Sequence, residues 1–213
     1  MGKSVTLRLM IGLIKPDSGH IYIYGNDVPH LNGLELAGVR KKIGFLFQDA
    51  ALFDSINVRD NIAFPLRRHT RKPETEIREI VHEKLKEVDL EGHGDKMPAE
   101  LSGGMRKRAG LARALTLDPD LLLVDEPSSG LDRITASEID DLLLELKQKR
   151  KATLVVVTHD IAGARKFADR FGVLHGGKIL ATGSADQLAA SEDPIVRQLA
   201  SESEATCLPE RKS

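Results

Sequence analysis

The sequence predicts an α/β fold with a mostly parallel sheet and an inserted group of helices, on three observations. Two segments, LLLVDE at 121–126 and ATLVVVTHD at 152–160, are continuous apolar runs of the kind buried on both faces of a parallel sheet. The amphipathic stretch TASEIDDLLLELKQKR lies between them, giving strand, helix, strand with a right-handed crossover expected. Between the early strand IGFLFQ and the first of these runs, the chain shows helical periodicity broken by Gly- and Pro-bearing loops.

Taken in order, Ser4 to Ile14 carries apolar residues on most sides of a helix, as expected for one lying under a sheet, and Lys15-Pro16-Asp17-Ser18-Gly19 stops it. HIYIYG at 20–25 reads as a short strand closed by Gly25, and IGFLFQ at 43–48 as a second. The helical insert covers about 52–115 and holds INVRDNIAFPL, ETEIREIVHEKLKEVDL and SGGMRKRAGLARAL. Sheet character returns at 121–126, 152–160 and RFGVLHGGKILATG. One domain is expected over 1–185. The tail at 186–213 reads as a short amphipathic piece followed by a disordered end, SESEATCLPERKS.

Composition removes several classes of function. The chain has 213 residues with 31 Lys+Arg against 32 Asp+Glu, so no global field argues for nucleic acid or an anionic lipid surface. The basic cluster Arg67, Arg68, His69, Arg71 and Lys72 has no interleaved aromatic residues for base stacking and reads as a solvated helix end. Cys207 is the single cysteine and cannot form an internal disulfide. No apolar run approaches the ~18 to 20 residues that cross a bilayer, so the chain reads as soluble.

The chemistry concentrates at a few points. Gly2-Lys3-Ser4 ahead of an apolar helical run looks like the back half of a phosphate-binding loop. Asp125 and Glu126 end a fully apolar strand, where open α/β sheets place their ligands. A Mg²⁺ ion suits Asp125, and Glu126 one residue on could polarise a water. Taken alone, the pair is equally compatible with a strand end that simply meets solvent. Ser102 is a good N-cap for the helix after LSGG, and the two glycines allow close approach of an anion, although capping by itself reads as an ordinary surface helix. Gln48 and His159 each stand at the end of a strand, where an amide or imidazole could reach a water or phosphate oxygen, or serve only the loop. Asp132 in SSGLD is placed as an N-cap.

The order and spacing of these pieces are far more specific than any one of them. Gly-Lys-Ser, then Gln, then Leu-Ser-Gly-Gly, then four apolar residues with Asp-Glu, then Ser-Gly-Leu-Asp, then His after an apolar strand resembles the ordered motif set of ATP-binding cassette ATPases over about 1–185. The resemblance implies a P-loop NTPase, RecA-like core that binds ATP and Mg²⁺. On it, Gly2, Lys3 and Ser4 match the end of the Walker A loop, with Lys3 on the phosphates and Ser4 on Mg²⁺. Gln48 matches the Q-loop, which senses metal, water and the membrane partner. Leu101, Ser102, Gly103, Gly104 and Met105 match the signature, which caps nucleotide held by another subunit. Asp125 matches Walker B, Glu126 the catalytic carboxylate, Asp132 the D-loop and His159 the switch histidine.

The stretches FLFQDAALFDSINVRDNIAFPLRRHT and ELSGGMRKRAGLARAL further resemble ATPase subunits of bacterial phospholipid-trafficking transporters, the lipid-asymmetry or toluene-tolerance group. That likeness implies a homodimer, integral-membrane permease subunits, a lipid-binding periplasmic component and a place on the inner face of the cell membrane, with no nucleic-acid partner. Phe53, Ile56 and Phe64 would form the permease socket, or pack inside the helical lobe. A full loop reads G-x-x-x-x-G-K-[ST], and only Met1 precedes Gly2. The expectation is therefore a chain whose N-terminal strands and loop front are missing. Losing two or three charge-assisted bonds of about 1.5 to 3 kcal/mol each would weaken ATP binding, which leaves a non-catalytic subunit as the alternative.

Overall fold

The computed structural model describes residues 2–150 and 152–201. The chain opens with α1 (Lys3–Met10), passes through a short antiparallel hairpin, β1 (Tyr22–Ile23) and β2 (Asn26–Asp27), and continues through α2 (Gly33–Arg40) into β3 (Ile43–Leu46). Three helices follow before the next strand: α3 (Val58–His69), α4 (Glu74–Glu87) and α5 (Gly103–Leu115). Then come β4 (Leu121–Asp125), α6 (Arg133–Lys149), β5 (Thr153–Val157) and α7 (Ile161–Ala164). An antiparallel hairpin, β6 (Phe171–His175) and β7 (Lys178–Gly183), precedes α8 (Ala185–Ala189) and α9 (Pro194–Ser201).

The central sheet is parallel with order β3–β4–β5, as the two apolar runs require. β4 is buried along its whole length, and its residues alternate between two cores. Leu122 and Val124 pack into the larger cluster with Leu46, Leu111, Leu143 and the helices α3 to α5. Leu121 and Leu123 face the other way, with Leu7 of α1, Ile11 just after it, Ile23 of β1 and Val28 just after β2. A side-chain period of two on a strand buried on both faces thus welds two layers together. Fully burying one such leucine contributes roughly 1.5–3 kcal/mol, so the strand that ends in Asp125-Glu126 is the most firmly held in the sheet.

Several boundaries differ from expectation. The first helix stops at Met10 rather than Ile14, because Gly12 adopts φ +66 and its N–H bonds Leu9 O at 3.0 Å while Leu13 N–H bonds Arg8 O at 2.9 Å. This paired closure is the glycine C-terminal motif of helices, and Arg40 seals it by donating to Ile11 O and Gly12 O. HIYIYG yields only a two-residue strand, since Tyr24 and Gly25 both take positive φ and turn the chain into β2. The helix α2 is short but well capped: Asn32 accepts from Leu34 N–H and Glu35 N–H, and Glu35 accepts from Asn32 N–H. Beyond Ser184 the chain forms α8 and α9, with Leu188, Val196 and Ala200 packed on Val173 of β6. The predicted disordered end falls, after Ser201, outside the described residues, as does Cys207. No helix among the described residues is long and apolar enough to cross a membrane.

Candidate functional site

Three elements end at one place. Gly2, at φ +109, caps α1 so that Lys3 and Ser4 occupy its first turn. From there Ser4 Oγ donates to Asp125 Oδ1 at 2.7 Å, and Lys3 Nζ lies 3.4 Å from Glu126 Oε1 while donating to Thr158 O at 2.7 Å. On the far side, His159 Nδ1 stands 2.7 Å from Glu126 Oε2, which also accepts from His159 N–H at 3.3 Å. The sheet register explains the meeting: Asp125 pairs with Val157, so the two strands end level and both release their next residues at the same edge. Asp125 is only 2% exposed, and its buried oxygen has a hydroxyl partner, as a buried carboxylate needs.

Glu126 leaves β4 with φ +46, a conformation a non-glycine residue rarely adopts. It is held there from both sides: its N–H donates to Val157 O at 2.9 Å, and its C=O accepts from Lys107 Nζ at 3.0 Å and from Ser129 N–H at 3.3 Å. The strain points its carboxylate, 13% exposed, between Lys3 and His159.

Lys107 is the member that sequence reasoning missed. It sits on the buried face of α5, 6% exposed, and donates to Gln48 O, Glu126 O and Ser129 Oγ. Burial pushes its ammonium pKa down, with Asp49, Asp125 and Glu126 pulling back the other way. The signal in the sequence was helical spacing, because Gly104, Lys107, Leu111 and Leu115 fall on one face of α5 and all are buried.

The other predicted residues divide. Gln48 is exposed and joins the cluster through its main-chain carbonyl, and its amide makes no hydrogen bond among the described residues. Just after it, Ala50 and Ala51 take positive φ, and Arg113 fixes both by donating to their carbonyls. Ser102 caps α5 by accepting from Met105 N–H at 3.2 Å, with Leu101 buried behind it. Asp132 caps α6, accepting from Ile134 N–H, Thr135 N–H and Thr135 Oγ1. A Cβ on Gly103 would lie 3.1 Å from Leu131, and one on Gly104 would lie 2.4 Å from Thr135, so the start of α5 lies directly against the start of α6. No hydrogen bond or ion pair among the described residues joins Leu101–Gly104 to Lys3 or Ser4. The basic cluster at 67–72 is partly neutralised, with Arg67 on Asp60 and Glu74 and Lys72 on Glu76.

The donor set suits a magnesium-bound polyphosphate. A hydroxyl and a buried carboxylate 2.7 Å apart are oxygen ligands of the kind Mg²⁺ takes, and an ammonium beside the first turn of a helix suits phosphate.

Comparison with known proteins agrees with that chemistry. Residues 1–129 match the family described as ABC transporter. The probable ribonucleotide transport ATP-binding protein mkl of Mycobacterium leprae is 48% identical over 197 residues, covering 92% of this chain and 57% of that protein. The intermembrane phospholipid transport system ATP-binding protein MlaF of Escherichia coli K12 is 46% identical over 198 residues, covering 93% of this chain and 74% of that protein. The chain therefore spans little more than half the length of the mycobacterial relative. Among solved structures, the dimeric post-hydrolysis state of the ATP-binding cassette MJ0796 bound to ADP and Pi superposes with a TM-score of 0.79 at 36% identity, covering 86% of this chain and 80% of that one. The cbiO1 component of the cbiONQ transporter from Clostridium perfringens superposes with a TM-score of 0.80 at 31% identity, covering 92% and 78%.

Proposed function

Because this chain belongs to the ABC transporter family, we propose that it is the ATP-binding and ATP-hydrolysing subunit of a transporter that moves phospholipid or a related lipid across the cell envelope. The observation that carries the reading is the convergence of Lys3, Ser4, Asp125, Glu126 and His159 at the joint end of α1, β4 and β5. Lys3 binds the terminal phosphates, and Ser4 with Asp125 holds Mg²⁺, which when bound neutralises phosphate charge. Glu126 aligns water and takes up its proton, and His159 steadies that carboxylate through the 2.7 Å contact. Gln48 reports on the site through its loop. Catalysis of this kind is positioning plus electrostatics, which is why a strained but doubly anchored Glu126 is suited to it.

The likeness to a phospholipid transport ATP-binding protein supports the lipid assignment, and a dimeric cassette among the structural neighbours supports a homodimer in which Leu101, Ser102, Gly103, Gly104 and Asp132 face the partner's nucleotide. Phe53, in the loop ahead of α3, and Phe64, on α3, each 44% exposed with ring centroids 4.9 Å apart, form a surface aromatic step suited to a membrane permease. A lipid-binding periplasmic component completes the proposed system.

The test compares Mg²⁺-ATP binding and phosphate release by this chain and its Glu126→Gln variant. The reading expects binding by both and phosphate release from the wild-type chain alone. Equal release by the two would remove Glu126 from the chemistry, and binding without release by either would leave a non-catalytic nucleotide-binding subunit.

A further inference from the structure

One constellation outside the nucleotide cluster has the chemistry of a metal site. His20 stands just ahead of β1, Asp27 ends β2, and His30 closes the one-turn helix Val28–His30. His20 Nδ1 lies 2.7 Å and His30 Nδ1 2.8 Å from the same oxygen, Asp27 Oδ2. All three ligand atoms fall within 4.8 Å of one another.

The fold fixes this meeting. Tyr22 pairs with Asp27 across the hairpin, and His20 stacks on Tyr22 with ring centroids 5.9 Å apart at 18°. The backbone beneath is anchored by Ile23 and Val28, which are 6% and 2% exposed. Asp27 also accepts from Ile21 N–H through its other oxygen. Beside the histidines runs an open cleft of about 310 Å³ lined by residues 15–20, Pro29 and His30, with room for an ion and its water.

The donor set selects the metal class. Imidazole nitrogen suits zinc, copper and nickel, whereas Mg²⁺ and Ca²⁺ take oxygen. With bonds of about 2.0 to 2.2 Å, tetrahedral zinc sets its ligand atoms roughly 3.3 Å apart. The observed contacts need to open by only about half an ångström to reach that spacing, and side chains this exposed can move so far. We propose that His20, Asp27 and His30 form a binding site for a divalent transition metal of the zinc class, distinct from the Mg²⁺ chemistry at Ser4 and Asp125. The ion ties the two ends of the β1–β2 hairpin to the turn after it. Ile23 and Val28 share a core with Leu7 and Ile11, so occupancy stiffens the layer on which α1, the bearer of Lys3 and Ser4, rests.

The experiment uses the full chain, stripped with chelator and free of nucleotide. Zn²⁺ is titrated by calorimetry and Co²⁺ by its visible absorption. One equivalent of each is expected, undiminished by millimolar Mg²⁺. His20→Ala and His30→Ala should each weaken Zn²⁺ binding at least about tenfold, the loss that follows even removal of an outer-shell partner. Circular dichroism checks that these exposed substitutions leave the fold intact, and Cys207→Ser should bind as wild type does. Absence of a saturable equivalent in the wild-type chain, or wild-type affinity in both histidine variants, overturns the proposal. Neither outcome depends on ATP turnover.

Discussion

Ser4 Oγ donates to Asp125 Oδ1 across 2.7 Å, joining the first turn of α1 to the last residue of β4. The contact spans the two layers that β4 welds together. Ser4→Ala leaves a carboxylate only 2% exposed without its hydroxyl partner and removes one proposed ligand for Mg²⁺. Mg²⁺-dependent nucleotide binding should fall at least about tenfold, while binding measured in EDTA should change little. Thermal stability should drop by about 1–3 kcal/mol, the cost of an orphaned buried acceptor.

Lys107 supplies a second prediction. Its ammonium holds the main chain of Gln48 and Glu126 together, so Lys107→Met strands the Gln48 carbonyl, leaves Glu126 O with Ser129 N–H alone, and loosens the strained peptide after β4. ATP turnover should fall at least about tenfold by loss of positioning, while the KM for ATP moves little, because Lys107 touches none of the proposed phosphate ligands. Lys107→Arg should recover part of the rate. A variant that shifts KM alone would place Lys107 in binding rather than in alignment of Glu126.

Much of this site was legible in the sequence because its parts lie at strand ends, and buried parallel strands announce themselves as unbroken apolar runs. Asp125, Glu126 and His159 were readable for that reason, and the register Asp125↔Val157 makes them neighbours. Lys107 was not, since MRKR reads as surface charge until the phase of α5 is known. The end of α1 was hidden by Leu13 and Ile14, which continue the apolar pattern past Gly12 yet stay 49% and 40% exposed. Gly12 was the stronger signal, because a backbone conformation overrides hydrophobic periodicity. The helix α2 went unread because eight residues with two glycines carry little propensity, and its Asn32–Glu35 capping box supplies what propensity does not.

Asp140 carries a pH dependence. It is 4% exposed on α6, and α7 places Gly163 so close that a Cβ there would lie 2.2 Å from Asp140 Oδ2. Burial pushes its carboxyl up to about 6, with Asp160 and Asp141 adding to the rise and Lys166 opposing it. The folded state thus holds the proton more tightly than the unfolded chain, whose carboxyl titrates near 3.8. Stability from this group is present below about pH 4 and is lost as pH rises through 6. Asp140→Asn should therefore raise stability at pH 7.5 by on the order of 2 kcal/mol. The gain should shrink toward zero near pH 4 in denaturant titrations across that range.

The loop from Gln48 to α3 depends on Asn61. This side chain is fully buried, its Oδ1 accepts from Phe53 N–H at 2.8 Å, and its Nδ2 donates to Phe53 O, Ile56 O and Asn57 O. A leucine, with the same number of side-chain heavy atoms, would leave the Phe53 N–H and the carbonyls of Phe53 and Ile56 unpaired, while Asn57 O keeps the Asn61 N–H at 3.0 Å. Hydration relieves some of them, so the net loss should be about 3 kcal/mol rather than the full sum of about 1–3 kcal/mol for each group. The effect should also be local. Phe53 packs against Phe64 with the rings tilted at 57°, and sits 5.8 Å from the Arg113 guanidinium, which itself clamps Ala50 and Ala51. Freeing Phe53 therefore loosens the aromatic step proposed to meet the permease before it disturbs β3. Hydrogen exchange of Asn61→Leu should show faster exchange at 50–57 with β4 still protected. Uniform acceleration across both would mean that Asn61 supports the whole helical layer and not this loop in particular.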